Sequence, residues 1–310
     1  MPKRLREFDR FLQRNKRSKA ARDAILRRAI PEYFVDEKLR QFEEYNEKER
    51  AYSDTVENYL QREREKRIDD INDVFLKHIK TDYKYDNLSR IVRAKFHRDP
   101  LCCIGSVKRP PGGRFNFGQT TRITTNYFQA LYLANDYDTA FAECFHSEDE
   151  SIGDFAHFKV TAKIDRYLDL RDKNVIGDFF KVIKDIKLPN EYIELAKQLG
   201  VEPMSLCLKE TELYNAIFSE RYKAWDTWVD QYAPSQWFGY YVYDLGIPAI
   251  VYPSVRDAKG FNLAVYTENF EDTDNEIKLS SSLDWSQVSQ ERSYIDSNNF
   301  ADIQKQVILD

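Results

Sequence analysis

A chain of 310 residues, 42% hydrophobic and 14% aromatic, is long enough to bury a full core, while 32% charged residues and a mean hydropathy of −0.67 describe a soluble protein and leave no stretch for a membrane span. The net charge of −5 is unevenly divided: residues 1–28 hold eleven Lys or Arg against three Asp or Glu, so they carry +8 and the remainder −13. Four cysteines without a CxxC pair and four histidines without HExxH spacing argue against a disulfide framework and a metal site, and the N-terminus lacks the apolar run of a secretory leader, so the expected compartment is the cytoplasm.

From about Lys3 to Lys80 there is no glycine and, after Pro2, a single proline, Pro31, which divides a basic helical stretch from a longer one. In the longer stretch Phe42, Tyr45, Tyr52, Val56 and Tyr59 keep an a/d-like seam that Glu49 interrupts, and Ile68, Ile71, Phe75 and Ile79 continue a helical stripe. This predicts a charged helical segment over residues 1–85. Its seam is too short for a free coiled coil and suits packing on its own protein, on a partner, or on a second copy in a homo-oligomer. The basic arm has only Phe8 and Phe11 interleaved and reads as a solvated or self-docking helix; nucleic acid is not expected as a partner.

After Asp86 the pattern changes. "NLSRIVRAKF" alternates as a strand, a glycine turn follows, and "FQALYLA" reads as a buried strand ending near Asn135. "NDYDTAFAECFH" then opens a helix with Asn135 or Asp136 as N-cap; Phe141, Cys144 and Phe145 form its apolar stripe, and Glu143 falls off that stripe. "FAHFKVTAKIDRYLDL" predicts a strand, residues 174–199 and 207–230 predict helices, and "IPAIVYPS" and "FNLAVYT" predict two closing strands. From Glu268 the chain turns acidic and polar, with weak strand character at "IKLSSSLDW". Strands and helices do not alternate regularly, so the expected class is α+β, with a main domain over 86–268 and a tail over 269–310 that is loose or packed on it.

Three local anomalies stand out. "RPPGGRFNFGQ" spends three of the ten glycines on one turn around Arg114 and Asn116. Tyr132 closes a strand eleven residues before Glu143, and Ser254 follows Pro253 at a strand end. Taken singly, these residues suit a solvated turn, a core aromatic, a surface charge and a turn serine. In the order GGRFN, YLA…AFAE, YPS…GFNLAVY, they resemble the RES domain family, which is named for its Arg, Glu and Ser. The resemblance spans roughly residues 88–268 and includes "IVRA", with Arg93 where the family has an arginine near its start. The run from Arg114 to Tyr132 is longer than is usual in the family, and residues 1–85 lie outside the match.

The resemblance implies an ADP-ribosyltransferase-like fold, with a mixed β-sheet core and surrounding helices. It also implies a toxin of a toxin–antitoxin pair that breaks the nicotinamide–ribose bond of NAD. Water or phosphate would be the acceptor, and NAD would be a substrate rather than a resident cofactor. Arg114, Tyr132, Glu143 and Ser254 match the family's active-site positions. The residue types suit that chemistry: a carboxylate at Glu143 stabilises oxocarbenium character, the Arg114 guanidinium grips pyrophosphate, the Tyr132 ring stacks on a base, and Ser254 orients the ribose or carboxamide. Asn116, Arg93 and Arg256 are further candidate NAD contacts. Neither GxGxxG after a strand nor GxxxxGK[ST] occurs, so redox use of NAD and a P-loop are not supported. Two alternatives stay open: a protein-directed ADP-ribosyltransferase and a non-catalytic nucleotide-binding module. An antitoxin or other regulatory protein is an expected partner, with residues 36–80 as its docking surface or as a lid in cis.

Overall fold

The computed structural model describes residues 32–108, 112–119, 127–145, 154–220, 232–280 and 288–305. The basic arm over residues 1–28 therefore lies outside the described residues. Two helices open the described chain, α1 (Glu32–Glu65) and α2 (Ile68–His78), followed directly by strand β1 (Lys80–Arg93). A short helix α3 (Gly105–Lys108), β2 (Leu131–Ala134), α4 (Tyr137–Cys144) and the long β3 (Phe155–Asp169) come next. Then follow α5 (Lys173–Ile183), α6 (Asn190–Leu199), α7 (Glu210–Ile217) and α8 (Pro234–Asp244). The strands β4 (Ala249–Pro253), β5 (Phe261–Val265), β6 (Glu276–Leu279) and β7 (Tyr294–Ile295) precede a last turn, α9 (Phe300–Ile303).

The strands form one mixed sheet in the order β1-β2-β5-β4-β3-β6-β7, and β1 also pairs antiparallel with β3 from Lys80 opposite Tyr167 to Arg93 opposite Phe155. The sheet thus folds back on itself through β1. Among the described strands only the contact of β3 with β4 is parallel. The α+β class expected from the irregular element order is what the chain adopts.

Each sheet face has its own core. On one face α2, α5, α7 and α8 cover an aromatic cluster in which Phe75, Phe115, Phe117, Phe179, Phe238 and Tyr252 are buried. On the other face Leu88, Leu133, Val160, Val251 and Leu263 pack under Phe270, Val288, Ile295 and Ile303. The acidic segment after Glu268 is therefore part of the fold, with β6 paired to β3 and β7 to β6.

The helical segment does not end where its composition does. β1 begins at Lys80, inside the expected segment 1–85, and α2 sends Ile71 and Phe75 into the main core. Tyr52, Val56 and Leu60 of α1 pack with Ala196 and Val201, and the Tyr52 hydroxyl accepts the Met204 N–H at 3.0 Å. An ionic clamp adds to this: Arg64 pairs with Glu57, donates from Nε to the Tyr241 hydroxyl at 3.0 Å, and lies 4.6 Å from the Trp237 ring centre. The apolar stripe over 52–75 is thus occupied by the protein's own domain.

Helix α8 falls on "PSQWFGYYVYD", a stretch that was not expected to be helical. Its aromatics favour strands in general, but Pro234 starts a helical turn well, and burial of Trp237, Phe238, Tyr241 and Val242 allows apolar side chains on most of the helix surface. Gly239 lets α8 touch the loop below, where a Cβ would collide with the Phe115 carbonyl. Among the described residues no helix is long and apolar enough to cross a membrane.

Candidate functional site

The sheet register sets out the floor of a cleft. Ser89 of β1 opposes Ala134 of β2, Ala134 opposes Asn262 of β5, and Asn262 opposes Tyr252 of β4. Directly opposed residues point to the same face, so these four side chains form one row across the strands. All four line a cleft of about 200 Å³, walled by Ala140, Glu143 and Cys144 of α4 and by Gly113 and Arg114 of the preceding loop.

That loop is fastened by buried polar groups. The Tyr132 hydroxyl accepts the Phe115 N–H and donates to Asn116 Oδ1, each at 2.9 Å. Asn116 Nδ2 donates to the carbonyls of Ser106 and Phe128, and Gln236 Nε2 donates to those of Gly113 and Asn116. Here the glycines are required. Gly112 has φ +104°, and a Cβ there would sit 2.5 Å from the Asn116 carbonyl oxygen; a Cβ at Gly113 would collide with the Tyr132 ring. Asn116 therefore builds the loop and does not line the cleft, and Tyr132 offers the cleft its ring because its hydroxyl is committed to the loop.

Glu143 is reached from α4, whose N-cap Asp136 accepts the Thr139 N–H at 2.8 Å as expected for this stretch. Its Oε1 accepts from Ser254 Oγ at 2.7 Å and from Asn262 Nδ2 at 2.9 Å. Ser254 Oγ in turn accepts the N–H groups of Arg256 and Asp257 at 3.1 and 3.0 Å. A serine hydroxyl has one proton to donate, and Ser254 gives it to Glu143. In this structure the Ser254 hydroxyl proton is directed at the carboxylate. The turn is closed from below by Asp257, which accepts from the Thr139 hydroxyl at 2.8 Å; that bond and, foremost, the Lys259 N–H hold its carboxyl below the usual carboxylate range.

Two arginines border the cleft. Arg114 is 7% exposed and donates from Nη1 to the carbonyls of Ile217 and Ser219 at the end of α7. Arg90 donates from Nη1 to the Tyr132 carbonyl at 2.8 Å and from Nε to that of Pro100 at 3.2 Å. Burial lowers the pKa of Arg90, yet a guanidinium remains charged at any ordinary pH, and Arg90 has no salt bridge to a carboxylate among the described residues. A half-buried cation that lines a cleft and has no carboxylate partner among the described residues suits an anion.

Of the expected site residues, the structure gathers Arg114, Tyr132 and Glu143 on one cleft, with Ser254 behind Glu143. Arg93 does not join them: it lies exposed at the end of β1, and Arg90, three positions earlier, lines the cleft instead. Arg256 pairs with Glu220 at 2.8 Å and is not a lining residue. Asn262 and Ser89 went unnoticed in the sequence, although a buried asparagine inside the apolar run "FNLAV" was a usable signal. No cluster of three or more metal-ligating side chains occurs among the described residues.

Among solved structures, the chain is similar to a chain of the crystal structure of the M. tuberculosis MbcT-MbcA toxin-antitoxin complex, at 14% identity and a TM-score of 0.38, over 76% of this chain and 98% of that one. No curated protein gives a significant match. The family model described as RES domain matches residues 87–286, beyond the expected limit at 268 and through β6. With that match over well more than half of its length, the chain belongs to the RES domain family.

Proposed function

We propose that this protein is a RES-type toxin that cleaves NAD at the nicotinamide–ribose bond, by hydrolysis or phosphorolysis, and so depletes it. The observation that carries the reading is the Glu143 carboxylate, fixed by Ser254 and Asn262 at one end of a cleft that Arg90 and Arg114 line among the described residues. Nicotinamide leaves as a neutral group from a cationic ring, and positive character grows on the ribose. A carboxylate that is already oriented stabilises that charge without reorganising. The arginines suit the pyrophosphate, and the Tyr132 ring suits a planar base.

In cells such an activity calls for restraint, and a protein that covers the cleft is the partner this reading expects. Among the described residues of α1 and α2 none lines the cleft, which favours a separate protein as that cover. The remaining part of the N-terminal segment lies outside the described residues.

The test is incubation of the full chain with NAD, with and without phosphate, resolving products by mass beside Glu143→Gln. Free nicotinamide from the wild type and a rate about 10²–10³-fold lower in the variant are expected. ADP-ribose attached to a protein would favour the transferase, and NAD binding without nicotinamide release would favour a binding module; either outcome overturns NAD depletion.

A further inference from the structure

The row of side chains on the cleft floor has two polar ends. At one end Asn262 holds Glu143. At the other, Ser89 is 4% exposed, lines the same cleft, and has its Oγ 3.1 Å from Nε2 of His157 on β3. Between them lies only the methyl group of Ala134. With neighbouring strands about 4.8 Å apart, Ser89 and Asn262 stand about 10 Å apart at the backbone. Glu143 thus stands on one side of the cleft floor and Ser89 on the other, with the space over Ala134 between them.

The surroundings of His157 suit a neutral base. It opposes Ile91 across β1, meets the edge of the Tyr137 ring at 5.0 Å, and has Lys159 two positions along its own strand. Burial, with the Lys159 ammonium adding to it, pushes the imidazole below its ordinary pKa, so the ring is neutral at pH 7. In the tautomer with its proton on Nδ1, Nε2 accepts the Ser89 hydroxyl proton.

We infer that Ser89 and His157 form the acceptor-side proton relay of this cleft, drawing a proton from the water that attacks the ribose. The inference rests on the NAD-cleaving reading. In the step, the water oxygen bonds to the ribose C1′ as the C1′–N bond breaks and nicotinamide leaves with the bonding pair. The water proton passes to Ser89 Oγ as the Ser89 proton passes to His157 Nε2, and the imidazolium then releases it to solvent. Phosphate, already an anion at neutral pH, attacks without such help, so the relay favours water as acceptor.

The experiment compares the full chain with Ser89→Ala and His157→Gln, each shown to be folded by its melting transition, measuring nicotinamide, ADP-ribose and ADP-ribose phosphate with and without inorganic phosphate from pH 5 to 9. Expected are a hydrolysis-to-phosphorolysis ratio at least tenfold lower in both variants and, in the wild type, a fall of hydrolysis on the acid side of the ordinary imidazole range that His157→Gln removes. Ser89→Ala changes one atom at a buried position and keeps the test usable if His157→Gln fails to fold. An unchanged ratio in a folded variant, or an acid limb that persists in His157→Gln, overturns the relay. Turnover by the wild type with phosphate alone overturns the relay and leaves the activity standing. Absence of nicotinamide from the wild type overturns the NAD reading itself, and the relay with it.

Discussion

The helical segment and the cleft are held together by opposite means. α1 and α2 attach through apolar stripes and a few ion pairs: Tyr52, Val56 and Leu60 against α6, Phe75 between Phe179 and Phe238, and the Lys77 and His78 contacts to Asp178. In and around the cleft polar side chains are held by hydrogen bonds, the two arginines by backbone carbonyls and the others by further side chains. Asp257 steadies Thr139, Ser254 and Asn262 hold Glu143, and Asn116 and Gln236 fix the glycine loop. Apolar attachment tolerates small errors in side-chain position. Charge stabilisation does not, so the costly buried polar groups gather where direction matters.

The sharpest way to break this contrast is Phe75→Ala. If α2 is core rather than appendage, the loss is about 3–5 kcal/mol in urea unfolding of the whole chain, in a single transition. A change confined to a separate helical transition would show that the segment is an independent unit. On the cleft side, Asn262→Ala removes one of two donors to Glu143 Oε1 without touching the apolar layers. If NAD cleavage proceeds as proposed, kcat falls about 10–100-fold, or about 1.4–2.7 kcal/mol, with KM for NAD changed no more than about threefold. A rise in KM at constant kcat would assign Asn262 to binding instead.

The smallest effect lies between the two regions. Asp178 accepts from Lys181, Lys77 and His78, which together hold its carboxyl far below the usual carboxylate range. A carboxylate with a lowered folded pKa stabilises the protein above its unfolded value of about 3.9, and that contribution fades as the pH falls toward the folded value. Asp178→Asn is therefore expected to cost no more than about 1 kcal/mol at pH 7, and the difference from wild type should vanish under strongly acidic conditions. A difference that is constant with pH would mean that shape, not charge, joins the segment to α5.

The same contrast explains what could be read in the sequence. Period-3.6 stripes placed α1 and α2, alternation and turn residues placed the strands from β1 to β5, and Asp136 was visible as the start of α4. Arg114, Tyr132 and Glu143 could be picked out because a glycine loop, a strand end and an off-stripe carboxylate are local features. Arg90 was missed in favour of Arg93. Arg93 ends β1 and is exposed there, whereas Arg90 is drawn to the cleft by the carbonyls of Tyr132 and Pro100, contacts that no local pattern shows. Asn262, Ser89 and His157 matter through cross-strand neighbours far away in the chain, which no local pattern encodes. Whether the tail after Glu268 is loose or packed could not be read because β6 and β7 are short, and they become strands only by pairing, β6 with β3 and β7 with β6.

The hold on Glu143 also sets a timetable. Ser254 and Asn262, which donate to it, lie 111 and 119 positions further along the chain. At about 5–20 residues per second, a ribosome needs roughly 6–24 s to pass from the carboxylate to the last of them. A nascent chain therefore carries an unaligned Glu143 through most of its synthesis, and the cleft assembles only once β5 has been made and paired. For a protein whose proposed action harms its own cell, that delay keeps the unfinished polypeptide harmless while it is still attached to the machinery that makes it.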